Sequence, residues 1–433
     1  MHEDATDATA EVPADVSNVA GRPEPTAPIA LETDVLIVGG GPAGSAAARV
    51  LAVAGHSVTI IDKATFPRDK CCGDGLTTLA LRELETIDFD PGTVPSWTTV
   101  DAAWVRSPSG REVCLPLRGN GQFAAVTPRI ELDNALVEHA KAAGAALLDG
   151  HGFDRVVDET PDHIDVAVVG LGVVRARFVI AADGMWSPVR KALGLSTGGY
   201  LGEWHGFRQY ASHVTGPAKD RLYVWFDADL LPGYAWSFPL PDGRANIGFG
   251  LLRDGVRKTQ DMKTLWPELL RRPHIVAALG ADAVLEDRHT AWPIPARIDE
   301  ATLAAGRVLF VGDAATATDT LTGEGIGQAL LTGRLAAEAI LDGAPTAVGT
   351  ARHYEHHVGR HLFADHKMSV ALGKVLARSR GARAAIRMID LNDWTRRNFA
   401  RWMFEDEPRA IALTPRRWHR KLFRGDGAFA SRG

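Results

Sequence analysis

An alternating aromatic tract marks the middle of this chain. Tyr234, Trp236 and Phe238 are separated by single residues, and Gly248 and Gly250 follow after a short spacer. Alternation at period two predicts a β-strand with one buried face. A row of aromatic rings can also form the apolar wall of a binding site. The tract alone favours the purely structural interpretation, so its functional meaning depends on the motifs on either side of it.

A glycine-rich turn near the start of the chain predicts a dinucleotide site. The apolar run of residues 34–38 leads into the spacing G-x-G-x-x-G over residues 39–44, and an alanine-rich stretch typical of a helix follows. In this order the first glycine permits a tight turn, the second lets the backbone approach a pyrophosphate, and the third lets the helix pack against the strand. The predicted cofactor contacts here are Gly39, Gly41, Pro42, Ala43 and Gly44.

An acidic residue at the end of the next predicted strand completes this motif. Residues 57–62 end in Asp62, about 20 residues beyond the glycines, where a carboxylate hydrogen-bonds a ribose hydroxyl. Lys63 follows directly and is included among the predicted cofactor contacts. The turn with an acid in register therefore predicts a bound dinucleotide.

A second strand-to-helix motif lies farther along the chain. Residues 307–311 are typical of a buried strand, and an alanine- and leucine-rich helix pattern begins near residue 326. An aspartate at such a strand end can hold a ribityl hydroxyl, and a helix N-terminus can stabilise the negative charge that a flavin gains on reduction. The predicted cofactor contacts here are Gly312, Asp313, Gly325 and Ile326.

A shorter motif lies between these two. Residues 179–182 predict a strand that ends at Asp183 and Gly184, a pair whose ordinary meaning is a turn. Its place in the chain resembles the third short motif of flavoprotein hydroxylases and reductases. The three motifs in this order favour FAD over NAD as the cofactor.

Four segments together resemble the geranylgeranyl reductase family, whose members are FAD enzymes that saturate isoprenoid double bonds. The resemblance extends from about Asp34 to Pro345 and weakens beyond. Cys71 stands where the family usually has proline, and Asp319 and Thr320 stand where relatives commonly carry asparagine and proline beside the flavin. The four segments are the glycine turn, residues 66–76 with Cys72 and Gly73, the aromatic tract with its spaced glycines, and residues 312–325.

The resemblance implies roles for particular residues. It places Cys72 and Gly73 over the flavin, and it makes Arg129, at the start of a predicted helix, a contact of the cofactor phosphates or ribityl chain. An isolated alkene must be held against a hydride donor in a dry site, so Tyr234 and Trp236 are expected to line a long apolar tunnel. Tyr234 is also a candidate hydrogen-bond or proton donor, and Cys72 either assists protonation or only packs. These three residues are the candidate catalytic set.

The implied function is an FAD-dependent oxidoreductase that saturates carbon–carbon double bonds of a geranylgeranyl or polyprenyl-quinone substrate. An FAD-dependent monooxygenase or halogenase is the alternative, because the site and not the fold determines the chemistry. Halogenases carry a related Trp-x-Trp-x-Ile-Pro tract, but its first and third positions are Tyr234 and Phe238 here, and no lysine stands in the matching setting. A non-catalytic flavin sensor or carrier is a third hypothesis. The electron donor stays open between NAD(P)H and ferredoxin.

Length and composition suit an enzyme of two or three domains. The chain has 433 residues, of which 45% are hydrophobic, and it contains no apolar run long enough for a transmembrane helix. Its three cysteines favour a reducing, cytoplasmic setting, and scattered histidines predict no metal site. The first 30 residues are rich in alanine, proline and threonine and predict a disordered tail without a signal peptide.

Positive charge is concentrated at the end of the chain. The net charge is −5, yet residues 374–433 contain 15 Lys and Arg against 6 Asp and Glu. Several aromatic residues accompany this charge, so two interpretations remain. One is a basic helix that packs its aromatics on the body, and the other is an amphipathic helix that docks at the inner face of the cell membrane. No recognition motif suggests nucleic acid. The residues on helical spacing are Leu391, Trp394, Asn398, Arg401 and Trp402.

These patterns predict an α/β fold with a Rossmann-type FAD-binding domain of the hydroxylase and glutathione-reductase-like type. An antiparallel β-sheet substrate domain and a C-terminal helical region complete it. The FAD-binding domain is expected to be discontinuous, because its motifs are interrupted by segments with strand alternation. The predicted boundaries are 31–95, 123–196 and 297–345 for the FAD-binding domain, 96–122 and 197–296 for the substrate domain, and 346–433 for the basic helical region.

Overall fold

The computed structural model describes residues 28–117, 119–253, 259–343, 346–420 and 422–430. Most of the predicted disordered tail lies outside these ranges, and the first strand begins inside its predicted limit. The strands are β1 (Ile29–Val38), β2 (Val58–Asp62), β3 (Gly75–Leu76), β4 (Thr98–Thr99), β5 (Ala102–Arg106), β6 (Glu112–Pro116), β7 (Ala125–Val126), β8 (Ala146–Asp149), β9 (Phe153–Glu159), β10 (Ile164–Val168), β11 (Gly172–Ala181), β12 (Trp204–Ser212), β13 (Leu222–Trp225), β14 (Tyr234–Leu240), β15 (Arg244–Leu252), β16 (Val284–Leu285), β17 (Thr290–Ile294), β18 (Ala304–Ala305) and β19 (Val308–Phe310).

The helices cover the sheets and form the end of the chain. They are α1 (Pro42–Val53), α2 (Thr78–Thr86), α3 (Arg129–Ala142), α4 (Pro188–Ala192), α5 (Thr259–Leu270), α6 (Pro273–Leu279), α7 (Ile326–Asp342), α8 (Ala347–Val358), α9 (Ala364–Leu376), α10 (Ser379–Ile389) and α11 (Asp393–Met403). A π-helical turn, Gly359–Phe363, joins α8 to α9.

A parallel sheet forms the first half of the molecule. Its strand order is β18-β19-β11-β1-β2-β8, in which the edge pair β18–β19 is antiparallel and the other neighbours are parallel. The antiparallel hairpin β9-β10 is attached to β11. The side chains of residues 35–38 in β1 are all buried, which is typical of a parallel strand covered on both faces. Helix α1 packs against α3 and α7 beside this sheet. This arrangement confirms the predicted Rossmann-type half.

A second sheet carries the aromatic tract. Its order is β16-β12-β15-β14-β13-β5-β6, and β17 also pairs with β12. The sheet is antiparallel as predicted, except that β13 and β5 pair in parallel. Between β5 and β13 the chain forms β6, crosses to the first sheet and returns through β12, so β13 and β5 are not joined by a hairpin. Helices α5 and α6 pack on one face of this sheet through a core that includes Phe249 and Trp266.

The C-terminal helices pack on the second sheet and leave several apolar side chains outside. Ile386, Ala400 and Phe404 share a core with Trp236 and Phe238 of β14. The predicted single amphipathic face over residues 391–402 is not formed. Leu391 and Trp394 are 71% and 66% exposed, whereas Asn398 and Arg401 are buried. The cause is that Arg401 donates to Asp406 and to the carbonyl of Gly425, which turns that part of α11 inward.

Candidate functional site

A cavity of about 880 Å³ lies where the two sheets meet. The carboxyl ends of parallel strands β1, β2 and β11 line one side, which is where ligands bind in such sheets. Residues of β12, β14, β15 and β17 line the other side. The structure brings nearly all the predicted site residues to this cavity. Those that line it are Gly39, Gly41, Pro42, Ala43, Asp62, Lys63, Cys72, Gly73, Arg129, Asp183, Gly184, Tyr234, Trp236, Gly312, Asp313, Gly325 and Ile326.

The three glycines of the first turn occupy different environments. Gly39 has a φ of +106°, and a methyl group there would lie 2.3 Å from the carbonyl oxygen of Ala182. Gly44 does not line the cavity, and a methyl group there would lie 1.9 Å from the carbonyl oxygen of Gly39. Gly41 differs, because a methyl group there would meet only Arg68 Nη2, at 3.6 Å. Gly41 thus borders free space in the cavity, while Gly39 and Gly44 permit close packing.

The start of α1 is suited to an anion. Gly41 precedes the helix and Pro42 opens it, and no side chain caps this N-terminus within the described structure. Its first turn contains no acidic residue, so no side chain of the helix itself neutralises the positive end of the helix dipole.

Two acids and two arginines form the wall beside this turn. Asp62 accepts hydrogen bonds from the backbone N–H groups of Gly40 and Ala64, both at 2.9 Å, which fixes its carboxylate. Arg68 donates to Asp133 at 2.8 Å and approaches Asp62 at 3.8 Å. Arg129 is buried and donates two hydrogen bonds to Asp133, both of 2.7 Å. The Arg129 guanidinium, which opposes the effect of burial, holds the pKa of Asp133 below its usual range.

The second and third predicted motifs also reach the cavity. Asp313 accepts a hydrogen bond of 2.9 Å from Lys70, which stands on the segment that contains the two adjacent cysteines. Asp183 accepts from the backbone N–H of Val189 through Oδ2, whereas its buried Oδ1 has no partner in the described part of the chain. Burial raises the pKa of Asp183 to about 6.

The aromatic tract forms a wall whose rings fit against glycines. In the β14–β15 hairpin, Tyr234 pairs with Gly250 and Trp236 pairs with Gly248. A methyl group on Gly248 would lie 2.4 Å from the Trp236 ring, so this position requires glycine. A methyl group on Gly250 would meet nothing within 4 Å, although this residue lines the cavity. The spaced glycines therefore have separate roles, one to seat a ring and one to leave open space.

A buried carboxylate ties the cysteine segment to this wall. Asp74, which is fully buried, accepts hydrogen bonds of 2.7 Å from Tyr210 and from the amide of Asn246. The same amide donates to the carbonyl of Cys72, and the Asn246 side-chain oxygen accepts from Trp236 Nε1 at 3.0 Å. Burial raises the pKa of Asp74 to about 6. This cluster sets the position of the Trp236 ring relative to the cysteine segment.

The candidate proton donors are both poor acids in this structure. Burial raises the pKa of the Cys72 thiol to about 11, with Arg129 opposing the shift. Tyr234 donates its hydroxyl proton to the carbonyl of Thr322, and burial raises its pKa as well. Neither group is matched to proton donation near neutral pH.

Several cavity residues have polar atoms that the protein itself does not satisfy. In the described part of the chain, Arg208 Nε, Thr290 Oγ1 and Trp292 Nε1 are buried without a hydrogen-bond partner. All three residues line the cavity, as does Asp183 with its unpartnered oxygen. Because buried polar groups are nearly always hydrogen-bonded, a bound ligand with both donors and acceptors would satisfy this set. The free space at Gly41 and the uncapped α1 supply room and charge for its phosphates, so the residues fit FAD.

Sequence reasoning missed Asp74, Asn246 and Glu324 as parts of this site. Asp74 lies between two glycines in the Cys-Cys-Gly-Asp-Gly segment, and this spacing was the local signal in the sequence. In the structure Asp74 has a positive φ of 65°. Asn246 carried no local signal, because its partners lie on distant segments. Glu324 lies within the predicted motif of residues 312–325 and lines the cavity beside Gly325. The described residues contain no group of His, Cys, Asp and Glu suited to a metal ion, and none of the three cysteines forms a disulfide there.

Comparison with known proteins agrees with this cofactor assignment. Residues 32–331 match the family model described as FAD binding domain. The menaquinone reductase of Mycolicibacterium smegmatis is 33% identical over 342 residues, which cover 73% of this chain and 78% of that protein. Digeranylgeranylglycerophospholipid reductase 2 of Methanopyrus kandleri is 34% identical over 320 residues, which cover 71% of this chain and 76% of that protein.

A solved structure shows the same fold. The geranylgeranyl bacteriochlorophyll reductase-like protein of Thermoplasma acidophilum superposes with a TM-score of 0.74 and 21% sequence identity, over 90% of this chain and all of that one. At this identity the likeness concerns the fold alone.

Proposed function

This chain belongs to the geranylgeranyl reductase family of proteins with an FAD-binding domain, and from this membership and the cavity we propose a function for it. It is an FAD-dependent oxidoreductase that saturates carbon–carbon double bonds in an isoprenoid chain carried by a lipid head group. The observation that carries the proposal is the aromatic wall of β14, which faces the predicted FAD contacts across one cavity.

The residues proposed to hold FAD are those predicted from the three motifs. Gly41 and the N-terminus of α1 receive the pyrophosphate, and Asp62 receives a ribose hydroxyl. Asp183 and Asp313 receive polar groups of the cofactor near the ribityl chain. FAD in its reduced form supplies the hydride for an alkene.

The rest of the chemistry falls to the protein. Trp236 and Tyr234 hold the isoprenoid along the wall, with Gly250 leaving the space that it needs. Asn246 and Asp74 fix the Trp236 ring, and this matters because a misplacement of about 1 Å can cost about a hundredfold in rate. The apolar wall also excludes water, so that hydride reaches the alkene and not a proton of the solvent.

The direct test is the reduction of defined isoprenoids by the FAD-loaded enzyme. Dithionite-reduced protein is incubated without oxygen with an unsaturated menaquinone or with geranylgeranyl diphosphate, and the products are examined by mass spectrometry. The quinone product is reoxidised first, because a quinol also carries two extra hydrogens. Two hydrogens retained after reoxidation identify saturation of the side chain. In a separate assay with oxygen present, rapid oxygen consumption by the reduced protein, together with no saturation of either compound in the oxygen-free assay, would favour the monooxygenase or halogenase alternative.

The electron donor is proposed to be either NAD(P)H or a ferredoxin-type protein. Only one dinucleotide motif of the glycine-rich kind occurs in the chain, and it is assigned to FAD. The rate of flavin bleaching with each donor separates the two, since one of them should reduce the flavin within the turnover time of the enzyme.

We also propose that the protein works at the cytoplasmic face of a membrane. None of the helices in the described ranges combines the length and apolar character needed to cross a bilayer. At the junction of α10 and α11, however, Met388, Leu391 and Trp394 are each more than 60% exposed. Arg387 and Arg397 flank them and are exposed. The exposed Asp393 between them pairs with Arg396. Exposed apolar side chains flanked by cations that form no ion pair within the described ranges suit an anionic lipid surface, and a lipid substrate would be reached there.

Sedimentation with vesicles tests this second proposal. We expect the FAD-loaded protein to bind vesicles that contain an anionic phospholipid, and to bind them less at high salt. The double variant Leu391→Asp, Trp394→Asp should lose vesicle binding. The control Val169→Asp changes an exposed valine outside this junction and should retain vesicle binding. Equal binding by both variants would leave this junction as an ordinary surface.

A further inference from the structure

Glu324 places a carboxyl group beside the aromatic wall. It lies in the loop that leads to α7 and immediately precedes Gly325, the residue that caps this helix. A methyl group on Gly75 would lie 2.9 Å from the Phe238 ring and 3.6 Å from Glu324 Oε1. The missing side chain at Gly75 therefore leaves ring and carboxyl next to the same space, and Glu324 lines the cavity there.

One arginine, Arg409, interacts electrostatically with three carboxyl groups in this region. Arg409, which is 3% exposed, approaches Asp319 at 3.8 Å and Glu405 at 3.7 Å. Glu324 is the third carboxyl and interacts electrostatically with the other two and with Arg409. Three negative charges around one positive charge in a buried cluster are unfavourable, so at least one of these carboxyl groups is expected to keep its proton.

The hydrogen bonds show which carboxyl that is. Asp319 accepts from the backbone N–H groups of Leu321 and Thr322 and from the Ser369 hydroxyl, at 2.9, 2.8 and 2.7 Å. Glu405 accepts from Thr77 and Gln328, both at 2.9 Å. In the described structure no group donates a hydrogen bond to the Glu324 carboxyl. Donors stabilise the ionised form, so Glu324 is expected to keep its proton to a higher pH than Asp319 and Glu405.

The electrostatics agree with this assignment. Burial, together with the charges of Glu405 and Asp319, raises the pKa of Glu324 to about 8. Arg409 and the hydrogen bonds from Thr322 and Ser369 overcome the effect of burial on Asp319 and hold its pKa below the usual range. The other titratable groups that face Glu324 are Cys72 and Tyr234, and both are neutral near pH 7.

We propose that Glu324 is the catalytic proton donor of this site, a role that rests on the proposed function. The O–H bond of the Glu324 carboxyl breaks, and its proton forms a C–H bond to one alkene carbon with the π electron pair. The other alkene carbon would receive the hydride that bound, reduced FAD supplies, and the electron pair of this hydride would form the second C–H bond. The Glu324 carboxylate regains a proton from solvent before the next turnover.

This assignment explains why the acid is neither Cys72 nor Tyr234. A general acid is most effective when its pKa is close to the working pH. The Cys72 thiol is a much weaker acid, and the Tyr234 proton is engaged by the carbonyl of Thr322. All three groups are neutral at pH 7, but of the three only Glu324 is acidic enough to release its proton at that pH.

The test compares Glu324→Gln with Glu338→Gln in the FAD-loaded enzyme. Glu338 lies on α7 outside the cavity lining, so its variant makes the same change of charge without touching the site. We expect Glu324→Gln to retain FAD and to lose at least about a hundredfold in the rate of alkene reduction, the usual minimum for a general acid. Glu324→Asp, which keeps a carboxyl group, should retain part of the parent rate that Glu324→Gln loses. The parent rate should fall as the pH rises through about 8.

A second readout needs neither cofactor nor substrate. The infrared C=O stretch of a protonated carboxyl in the FAD-free protein should disappear as the pH rises through about 8, and Glu324→Gln should lack this change. If the parent reduces no isoprenoid, the proposed function fails whatever this band shows. If the parent is active and Glu324→Gln matches its rate and pH profile, the role of Glu324 is overturned. Should neither variant fold, a parent spectrum with no carboxyl band that titrates near pH 8, above Glu405 at about 7 and Asp74 at about 6, would overturn it.

Discussion

At the scale of single residues, the glycines of the first turn have two different roles. Gly39 and Gly44 permit close packing, and Gly41 leaves space for a ligand. Gly39 and Gly44 face backbone atoms, so any side chain there disturbs the fold. Gly41 faces the cavity, with only Arg68 nearby. A side chain at Gly41 is therefore tolerated by the protein and opposed only by the ligand.

Gly41→Val should consequently give a folded protein without FAD. The valine side chain fills the space that the pyrophosphate needs while meeting little else. Absorbance of the purified protein measures FAD content, and circular dichroism measures folding. Gly198→Val is the matched control, since a side chain at Gly198 meets nothing within 4 Å. Stoichiometric FAD in Gly41→Val would contradict the cofactor assignment.

Trp236→Ala should keep FAD and lose at least about tenfold in alkene reduction, because the substrate is no longer held in line with the cofactor. The Trp236 ring is positioned by Asn246 and Gly248 and packs in the core that the second sheet shares with the C-terminal helices. Trp394→Ala removes an exposed indole outside the cavity and should retain the rate on detergent-dispersed substrate. Parent-like turnover by Trp236→Ala would show that the wall does not guide the isoprenoid.

Cys72→Ser should retain FAD and most of the turnover. The thiol has a pKa of about 11 and packs beside Arg129, so its loss removes little acid catalysis. Single-turnover rates at neutral pH measure the effect, with Cys114→Ser as a control outside the cavity lining. A strong loss of turnover with normal flavin would instead assign the proton to Cys72.

At the scale of elements, the β14–β15 hairpin is built from glycine and aromatic pairs. A side chain on Gly248 collides with the Trp236 ring and also lies 2.3 Å from the carbonyl oxygen of Phe207. A side chain on Gly250 enters only open cavity. The two glycines are directly comparable because both belong to β15 and both pair with aromatic residues of β14.

Gly248→Ala should destabilise the protein by about 1–3 kcal/mol, the usual cost of overpacking. Gly250→Ala should leave the melting temperature almost unchanged and slow the reduction of branched isoprenoid chains, because it narrows the cavity. Thermal melts and turnover rates of the two variants provide the comparison. Equal losses of stability would mean that the ring of Trp236 can shift to accept either change.

The sequence predicted the elements whose signals are local. The glycine turn, the strand ends at Asp62 and Asp313 and the alternation of β14 each show their meaning within a few residues. The cluster around Asp74 could not be predicted, since it joins residues 172 and 136 positions apart. The same is true of Arg409, which reaches the site from beyond the region of family resemblance. Burial and charge at such places depend on tertiary contacts that no local period encodes.

At the scale of the whole molecule, buried carboxyl groups make stability depend on pH. Burial raises the pKa of Asp74 to about 6 and that of Glu405 to about 7, and Glu324 reaches about 8. Each of these groups binds its proton more tightly in the folded chain than in the unfolded one. Their contribution to the free energy of unfolding is therefore fully present below about pH 4 and is lost as the pH rises through these values.

The melting temperature should accordingly fall between about pH 5 and about pH 9. Glu324→Gln should melt close to the parent at the lower pH and above it at the higher pH, because the amide carries no charge to bury. Differential scanning calorimetry across this range measures both effects, with Glu338→Gln as the reference. Parallel curves for Glu324→Gln and the parent would show that Glu324 is already ionised.

The centre of the first sheet is drawn from three distant parts of the chain, with β11 between β1 and β19. Closing such long loops costs little equilibrium stability, because loop entropy grows only with the logarithm of length. Closing these long loops does slow folding, because the chain loses the loop entropy before the non-local contacts stabilise it. The cofactor cleft is complete only when β19 docks, so flavin cannot nucleate folding of an emerging chain. FAD therefore stabilises the fold by binding only after the polypeptide has reached that fold without the cofactor.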